Sequence, residues 1–509
     1  MSRPAYTYIT TAIDYANGSP HMGHAFEKIG ADAMARYRRL RGERVHFVMG
    51  MDEHGLKVMQ SAEAAQVTPQ QWVDRIAGEF EAMWKRLLIS NDDFMRTTEA
   101  RHERAAIALV RRIQESGHFH RGRYEGWYCV GCESFKRDDE LVLDEGGVRR
   151  CVTHPNREVV WSEENNWFFR LSAFRDRLLQ LYDERPGFIQ PESRYNEVRN
   201  LVEAGLEDIS VSRAIPWGIP WPGDDGQTIW VWIEALINYI SATGFPDAGY
   251  ESLWPAAYHV IGKDITRFHC VIWPAMLMAA ELEPASAVWA HGFFTYAGRK
   301  LSKSEGVRVE LGDVIDRFGP DAFRYYLLRE VPWNDDGEFS WERFESRYNA
   351  DLADDLGNLV NRTISMIERY RGGVIPAGGR TWLDGESAAT LDRYRSAMDA
   401  NLLHHGAAAA MDLAVAANGF IEARAPWSQA KDPAQSAELD ATLLSLARAI
   451  LTCSTLLSPF MPGRMQDLAR RFEFDSVPAL EDLPALDPAG RCASRGSILF
   501  PKEKPAGAA

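Results

Sequence analysis

The sequence predicts an α/β fold in which a doubly wound parallel sheet is interrupted by a cysteine-bearing insert and followed by an α-helical bundle. Buried-strand patterns alternate with amphipathic helical patterns in residues 6–118 and again in residues 223–343. Short segments, paired cysteines and proline-rich turns lie between these two stretches, and the pattern becomes helical after them. Alternating strands and helices are typical of α/β sheets, and parallel strands are therefore expected.

The chain is expected to form several domains, because 509 residues exceed what one compact core usually holds. We predict the first half of a Rossmann-type sheet domain at 1–118, an insert at 119–222, the second half of the sheet domain at 223–343, a helical domain at 344–475 and a C-terminal tail at 476–509.

The first strand–loop–helix unit consists of a buried strand at residues 6–13, a loop containing Asn17-Gly18, and an amphipathic helix at residues 21–40. A second strand follows at 45–51, with helical pattern through residue 87. After the insert, the pattern predicts elements in this order: a helix at 230–243, a strand at 258–262, a helix at 266–280 and a strand at 288–295.

The helical domain contains three long amphipathic candidates, at residues 344–371, 388–423 and 437–457, separated by Gly- and Pro-rich breaks. The tail from residue 476 is rich in Pro, Asp and Ala. We expect it to wrap loosely and assign it no function.

Charge and composition limit the function classes. The 57 Lys and Arg against 72 Asp and Glu residues give a formal charge of −15. Proteins that hold nucleic acid mainly by charge are usually basic, so any RNA contact must be local.

The N-terminus has no signal pattern, and the longest uncharged apolar stretch, residues 270–280, is shorter than the roughly 20 residues that span a bilayer. We expect a soluble, cytoplasmic protein without a membrane partner.

Four polar clusters each follow a predicted strand: residues 21–24, 52–55 and 262–264, and His291-Gly292 leading to a basic loop. In doubly wound sheets, ligands bind at the carboxyl ends of the strands. The clusters therefore predict one ligand site at this edge, although any one of them alone could be a simple turn.

His21 and His24 share one face of a helix start, and Gly23 between them removes the Cβ that would keep a flat purine away. The arrangement suits ATP. The alternative is a helix N-terminus with two solvated histidines. A two-histidine metal site is disfavoured, because no carboxylate or cysteine stands at a supporting spacing on the same face.

The loop Gly298-Arg299-Lys300-Leu301-Ser302-Lys303-Ser304-Glu305-Gly306 is cationic and bounded by glycines. Such a loop can move and can neutralise phosphates that gain charge as pyrophosphate leaves. If it stood alone, a solvated basic turn would be the better interpretation.

The insert contains Cys129-Val130-Gly131-Cys132 and, after eighteen residues, Cys151-Val152-Thr153-His154. This CxxC…CxxH set has the spacing of a tetrahedral zinc knuckle with ligands Cys129, Cys132, Cys151 and His154. Four protein ligands leave no open position, which favours one structural Zn²⁺ over a catalytic one. Such cysteine usage also fits a reducing compartment.

At this order and separation, the two phosphate-handling clusters resemble the HIGH and KMSKS signatures of class I aminoacyl-tRNA synthetases, with Met22 and Leu301 as apolar departures. The resemblance is closest to the methionyl-tRNA synthetase family, in the runs TTAIDYANGSPHMGHA, GMDEHGLKV, WVWIEALINYI, HVIGKDITRFHCVIWPAML, HGFFTYAGRKLSKSEG and DAFRYYLLRE. It extends over nearly the whole chain.

The resemblance implies ATP-dependent activation of L-methionine to methionyl-adenylate and transfer to the 3'-terminal ribose of tRNA(Met), for translation elongation and initiation. It implies that ATP arrives with Mg²⁺. The catalytic residues it implies are His21, His24, Lys300 and Lys303. The ATP-binding residues it implies are Gly23, Glu27, Gly262, Asp264, His291, Gly292, Ser302 and Lys303.

By the family pattern, the methionine pocket is formed by Ala12, Ile13, Tyr15, Trp232, Tyr239, His269 and Ile272, with Asp52 holding the substrate ammonium. Family members commonly carry leucine at the position of Ile13, so the pocket wall differs slightly here. Aromatic rings can wrap a thioether, which agrees with methionine. Without the resemblance, Trp232, Tyr239 and Ile272 would be interpreted as ordinary core.

The resemblance also makes the helical domain an anticodon-binding domain. Asn358 and Arg362 lie four residues apart on one helix face, and Pro426-Trp427 falls between later helices. In the family these patterns contact the CAU anticodon, so Asn358, Arg362, Pro426 and Trp427 are carried over. An aromatic face with nearby donors can stack and hydrogen-bond a splayed base. A core tryptophan beside a surface helix pair is the alternative. A monomer is expected.

Three alternatives are weighed against this interpretation. A small-molecule nucleotidyltransferase accounts for the histidine motif but not for the insert or the bundle, and a non-catalytic tRNA-binding paralogue accounts only for the bundle. In a cysteinyl-tRNA synthetase or cysteine ligase, zinc would grip the substrate thiol, whereas the ligands here form a separate closed knuckle.

Overall fold

The computed structural model describes residues 6–132, 134–136, 138–144, 146–156, 159–255, 257–296, 299–300 and 310–502. The first part of the fold is a parallel sheet with helices against it. Its first elements are β1 (Tyr6–Thr11), β2 (Asp14–Tyr15), α1 (Met22–Leu40), β3 (Arg44–Asp52), α2 (Leu56–Ala64), α3 (Pro69–Arg86), β4 (Asp93–Arg96) and α4 (Ala100–Glu115).

The insert is built on a long antiparallel ribbon. Its elements are β5 (Phe119–Cys129), β6 (Ser134–Lys136), β7 (Leu141–Leu143), β8 (Arg149–Cys151), β9 (Val160–Phe169), α5 (Arg175–Glu184), β10 (Ile189–Gln190), α6 (Glu192–Glu203), β11 (Ile209–Ser210), β12 (Ser212–Arg213), β13 (Pro220–Trp221) and β14 (Asp224–Ile229). Strands β5 and β9 pair from Phe119↔Phe169 to Tyr128↔Val160. The first cysteine pair therefore lies at the end of the ribbon opposite Phe119 and Phe169.

The sheet resumes after the insert. Its further elements are α7 (Val231–Ser241), β15 (Ala257–Gly262), α8 (Trp273–Ala279), β16 (Ala287–His291), β17 (Phe294–Tyr296), β18 (Arg299–Lys300), α9 (Leu311–Phe318), α10 (Pro320–Glu330) and β19 (Gly337–Phe339). The seven-stranded sheet has the order β10-β16-β15-β1-β3-β2, with β4 also on β3, and every pairing is parallel. The predicted doubly wound parallel sheet is confirmed.

Two elements predicted for the sheet domain after the insert differ from the structure. The helix expected at 266–280 is π-helical over Arg267–Ile272 before α8 begins. Pro274 has no N–H for the carbonyl of Cys270, and the Tyr182 hydroxyl donates to that carbonyl at 2.8 Å instead. The strand expected at 288–295 is split into β16 and β17. Between them, the backbone of Asp335 passes so close to Gly292 that a Cβ there would lie 2.0 Å from the Asp335 oxygen.

The helical domain follows β19. Its helices are α11 (Trp341–Arg347), α12 (Asn358–Arg371), α13 (Trp382–Asp399), α14 (Leu403–Arg424), α15 (Pro426–Gln429), α16 (Ser436–Leu457) and α17 (Pro462–Arg470), with a π-helical stretch at Tyr348–Gly357. The single helix expected at 388–423 was wrong: the chain turns between α13 and α14, where Asn401 has a left-handed φ of 55°. Asparagine tolerates that conformation better than most residues, and its side chain donates to the Tyr258 hydroxyl at 2.7 Å.

The sheet domain and the helical domain share one apolar core. A continuous cluster runs from Ile9 and Phe26 beside the sheet to Leu446 in the bundle. The tail belongs to it as well, because Leu480 and Phe500 are buried. The sequence predicted a loose tail; the structure instead packs it against the bundle.

Among the described residues, one helix, Pro433–Leu457, has the length and hydropathy of a membrane span, and 83% of its apolar window is buried inside the protein. The central helix of a soluble helical bundle is buried to the same degree, so length and hydropathy do not distinguish this helix from a membrane span.

Candidate active site

A cavity of about 230 Å³ lies at the carboxyl ends of β1 and β3 and against α7. Seven of the eight residues predicted for the methionine pocket line it: Ala12, Ile13, Tyr15, Asp52, Trp232, Tyr239 and His269. Ile272, the eighth, is buried but is not on the wall. Ile272 is the last residue of the π-helical stretch Arg267–Ile272, in which the side-chain spacing differs from that of a regular helix.

The polar groups of the cavity are few and fixed. The Tyr239 hydroxyl and His269 Nε2 are 2.6 Å apart, and His269 Nδ1 lies 3.1 Å from the carbonyl of Ile265. Since that carbonyl can only accept, His269 Nδ1 carries the proton and Nε2 accepts from Tyr239. Burial lowers the pKa of His269 to about 4, so the imidazole is neutral at pH 7. Asp52, 8% exposed, is the one carboxylate among the lining residues.

His21 and His24 stand at the start of α1. His21 is the N-cap, its Nδ1 accepts from the Gly23 N–H at 3.2 Å, and its own N–H donates to His24 Nδ1 at 3.3 Å. The two rings stack at 3.6 Å. The helix start therefore presents two parallel imidazoles, together with the partial positive charge of the helix N-terminus, which favours an anion.

Several of the residues predicted to bind ATP gather beside α1. Gly262 pairs with His291 across β15 and β16, and a Cβ on Gly262 would come within 2.8 Å of Asp264 Oδ1. His291 Nε2 lies 3.2 Å from Glu27 Oε2. Lys28, fully buried, donates to the other oxygen of Glu27 at 2.6 Å. The structure thus brings Glu27, Gly262, Asp264 and His291 together.

Burial raises the pKa of the Glu27 carboxyl, but the charges of Lys28 and His291 outweigh burial and the net pKa is lowered. Glu27 is therefore ionised at neutral pH and can accept hydrogen bonds from ribose hydroxyls.

The KMSKS-like loop is only partly described. The backbone of Lys300 lies in β18, paired with Thr295. Ser302 and Lys303 fall outside the described residues, so their predicted roles come from the sequence alone.

The four predicted zinc ligands converge at the tip of the insert. The ligand atoms of Cys129, Cys132, Cys151 and His154 all lie within 4.8 Å of one another. Cys132 Sγ is 3.6 Å from Cys151 Sγ and 3.2 Å from His154 Nδ1. A tetrahedral zinc with Zn–S near 2.3 Å needs sulfur–sulfur edges of about 3.8 Å. The donor set and its dimensions therefore fit Zn²⁺.

Glycine is required inside this cluster, because a Cβ on Gly131 would lie 2.7 Å from the His154 ring. Gly131 and Cys132 also line the cavity, and the Trp232 indole donates to the Cys132 carbonyl at 3.1 Å. The knuckle is thus a wall of the candidate active site.

The predicted anticodon residues lie on the helical domain. Asn358 begins α12, and Arg362, one turn later, forms an ion pair of 2.6 Å with Glu422 near the end of α14. Pro426 is the first residue of α15, and Trp427 is 40% exposed. Pro426 has the fixed φ that suits a helix start. The Arg362–Glu422 pair therefore links α12 to the segment that carries Trp427.

Sequence reasoning missed some of the cavity wall. The additional lining residues are Asn17, Lys57, Gly131, Cys132, Val231, Ala235, Leu236 and Ile265. Ala235 and Leu236 stand three and four positions after Trp232, so helical spacing could have found them. Nothing in the local pattern of Gly131 or Cys132 points to the cavity, because the folded insert brings them there.

Comparison with known proteins agrees with this geometry. The family model "tRNA synthetases class I (M)" matches residues 7–146 and 148–364, and the model "Anticodon binding domain of methionyl tRNA ligase" matches residues 375–500. The parallel sheet, the histidine pair at its edge and the helical domain thus define a class I aminoacyl-tRNA synthetase.

Sequence relatives identify the family within this class. The chain is 41% identical to the methionine–tRNA ligase of Streptomyces coelicolor, covering 98% of this chain and 97% of the relative, and 43% identical to that of Brucella suis, covering 94% and 93%. The chain belongs to the methionyl-tRNA synthetase family.

Solved structures show the same likeness. The structure of Mycobacterium tuberculosis methionyl-tRNA synthetase in complex with methionyl-adenylate superposes with a TM-score of 0.94 at 38% identity, covering 97% of this chain and 99% of the other. The apo form of that enzyme gives a TM-score of 0.87 at 35% identity, with 99% of each chain covered.

Proposed function

We propose that the chain activates L-methionine with ATP and transfers the methionyl group from methionyl-adenylate to the 3'-terminal ribose of tRNA(Met). The observation that carries the proposal is the cavity at the sheet edge. It has mostly apolar and aromatic walls, one carboxylate, one lysine and a neutral histidine. These features suit a zwitterion with a long thioether side chain.

Asp52 pairs with the substrate ammonium, and Trp232, Tyr239, Ala12 and Ile13 enclose the side chain. Methionine sulfur packs favourably against aromatic rings. Apart from Asp52 and Lys57, the lining residues carry no charge, because His269 is neutral. The wall formed by Trp232, Leu236 and Tyr239 therefore favours an uncharged side chain, since a charged one buried there without a partner would be costly.

ATP, accompanied by Mg²⁺, lies along the neighbouring strand ends. His21 and His24 meet the phosphates at the N-terminus of α1, Gly23 lets the purine approach, and Glu27 and Asp264 accept from the ribose. Gly262, His291 and Gly292 form the floor of this site. The methionine carboxylate then attacks the α-phosphate in line, and Lys300, Ser302 and Lys303 stabilise the charge that develops on the leaving pyrophosphate. No protein nucleophile is required.

The insert holds one structural Zn²⁺ through Cys129, Cys132, Cys151 and His154, and the metal fixes the fold of the knuckle. The helical domain reads the CAU anticodon through Asn358, Arg362 and Trp427, with Pro426 positioning the tryptophan. We further propose that the enzyme acts as a monomer in the cytoplasm.

The decisive experiment is amino-acid-dependent ATP–pyrophosphate exchange by the purified chain. Methionine should support exchange, and leucine, isoleucine, valine and cysteine should support it far less. Exchange that is equal with cysteine, or absent with every amino acid, would overturn the proposal.

A further inference from the structure

The loop 52–55, which carries Asp52 at the cavity, is fixed by hydrogen bonds and an ion pair of Glu53 with residues outside the loop. The Glu53 N–H donates to Thr97 Oγ1 at 2.9 Å, and the Glu53 carboxylate pairs with Arg96 at 2.7 Å. The Trp217 indole donates to the Glu53 carbonyl at 2.7 Å. The position of Asp52 is therefore set by the neighbouring loop residues and their partners.

His54, the next residue of this loop, belongs to a buried network with Glu234 and His102. His54 Nδ1 lies 2.8 Å from Glu234 Oε1, and His102 Nε2 lies 2.7 Å from Glu234 Oε2. The other nitrogen of His102 lies 3.0 Å from Ser241 Oγ. Glu234 and His102 are 0% exposed and His54 is 7% exposed. One carboxylate thus joins the loop, α4 and α7.

Helix α7 also carries much of the opposite wall of the cavity. Trp232, Ala235, Leu236 and Tyr239 line the cavity from this helix, and Glu234 stands among them in sequence while pointing into the network. Moving Glu234 relative to His54 would therefore change the separation between the carboxylate of Asp52 and the aromatic wall.

The charge of Glu234 is maintained by its partners. Burial raises the pKa of this carboxyl, but His54 and His102 outweigh burial and the net pKa is lowered. Burial lowers the pKa of His54, and Glu234 outweighs that effect in turn. A buried carboxylate with two directed partners is a rigid connection, because losing either partner leaves a polar group unpaired.

We propose that Glu234 is a positioning residue: through His54 and His102 it fixes α7 against the loop of Asp52 and so sets the affinity of the site for methionine. The inference rests on the proposed function, since it assumes that methionine spans the distance from Asp52 to α7. Glu234 touches neither substrate nor reacting atoms.

The test compares E234Q and H54Q with the wild-type enzyme in ATP–pyrophosphate exchange and in methionine binding by calorimetry. E234Q keeps the shape of the side chain and removes its charge. The KM and Kd for methionine should rise about tenfold or more, the change expected when charge-assisted hydrogen bonds are weakened. The KM for ATP should stay within about twofold. E234Q combined with H54Q should be little worse than the stronger single variant, because the residues act as one unit.

The matched control is D384N, which neutralises a buried carboxylate of the helical domain bonded to Thr381, Ser445 and Arg448. It should lower the melting temperature without changing the KM for methionine. If E234Q does not fold, H54Q carries the same comparison, because it leaves the Glu234 carboxylate and its contact with His102 in place.

Unchanged methionine KM and Kd in a folded E234Q or H54Q, or a parallel rise in the KM for ATP, would overturn the positioning role. A wild-type enzyme without methionine-dependent exchange would instead overturn the proposed function, so the two failures are distinguishable.

Discussion

At the residue scale, the chemistry of the cavity depends on protonation states that burial sets. His269 can accept from the Tyr239 hydroxyl only while its Nε2 is unprotonated, and burial keeps it so down to a pH of about 4. The sequence pointed to both residues through the family pattern. It could not show that they bond to each other, because that contact joins two helices thirty residues apart.

The first prediction concerns pH. An unfolded histidine has a pKa of about 6.5. Between that pH and about 4 the unfolded chain binds a proton that folded His269 does not, so stability is fully present above this window and falls as the pH is lowered through it. His259, whose pKa burial also lowers, acts in the same direction. Between pH 7 and pH 4.5, the free energy of unfolding should fall by about 2 kcal/mol less in H269Q than in the wild type.

Urea unfolding at a series of pH values measures this effect. Parallel profiles for H269Q and the wild type would show that His269 does not contribute.

The second prediction concerns the half-exposed Trp427. W427A should reduce tRNA(Met) charging several-fold or more, since stacking of a base on an aromatic ring contributes about 1–3 kcal/mol. ATP–pyrophosphate exchange should remain nearly unchanged, because the helical domain is not part of the adenylation site. Aminoacylation and exchange are measured on the same preparation.

W382A is the matched control for this variant. Trp382 is 55% exposed in the same domain and packs edge-on against Phe420. Equal losses in both variants, or an equal loss of exchange and charging in W427A, would contradict a role of Trp427 in anticodon recognition.

At the element scale, the fold of the insert makes Cys132 part of both the cysteine–histidine cluster and the cavity wall. Strands β5 and β9 place Cys129 and Cys132 at the ribbon tip, and the tip folds back so that the Cys132 carbonyl meets Trp232 of α7. The spacing of cysteines and histidine in the sequence was sufficient to identify the cluster. The contact with α7 depends on the path of the ribbon, which no local pattern encodes.

The third prediction concerns the knuckle. The purified chain should contain about one Zn²⁺, and G131A should lose it, because an added Cβ would collide with the His154 ring. Zinc per chain is measured by atomic emission after dialysis against a weak chelator. G146A, in the same insert, is the control: its Cβ would meet only Asp144 Oδ1 at 3.4 Å. A metal-free chain that is folded and fully active would refute the assignment of a structural zinc.

At the scale of the whole molecule, the sheet domain and the helical bundle are joined by the hydrogen bonds of a buried arginine, Arg324, as well as by the shared core. Arg324 Nη2 lies 2.6 Å from Asp32 Oδ2 of α1, and both side chains are fully buried. The same guanidinium donates to the carbonyls of Leu87, Pro459 and Phe460. The guanidinium of Arg324, on α10, thus connects Asp32 of α1 with the carbonyls of the segment that follows α16.

The fourth prediction follows from this connection. R324K should lower the free energy of unfolding by about 3 kcal/mol, because one ammonium cannot reach all four acceptors and leaves buried groups unpaired. Denaturant unfolding followed by tryptophan fluorescence measures the change. R393K, which alters the half-exposed pair with Glu386, should change stability by about 0.5 kcal/mol or less. Similar effects of the two variants would show that the buried pair is not a structural connection.

The sequence by itself determined the parallel α/β class, the position of the insert, the members of its cysteine–histidine cluster and the residue types of the candidate active site. These features are local: strand and helix periodicity, metal-ligand spacing and short motifs act over a few residues, so they can be read along the chain. Only the tertiary structure decided that Ile272 lies off the cavity wall, that residues 388–423 form two helices, and that His54, Glu234 and His102 meet. Those outcomes depend on contacts between residues far apart in sequence, where packing and the pairing of buried charges override local preference.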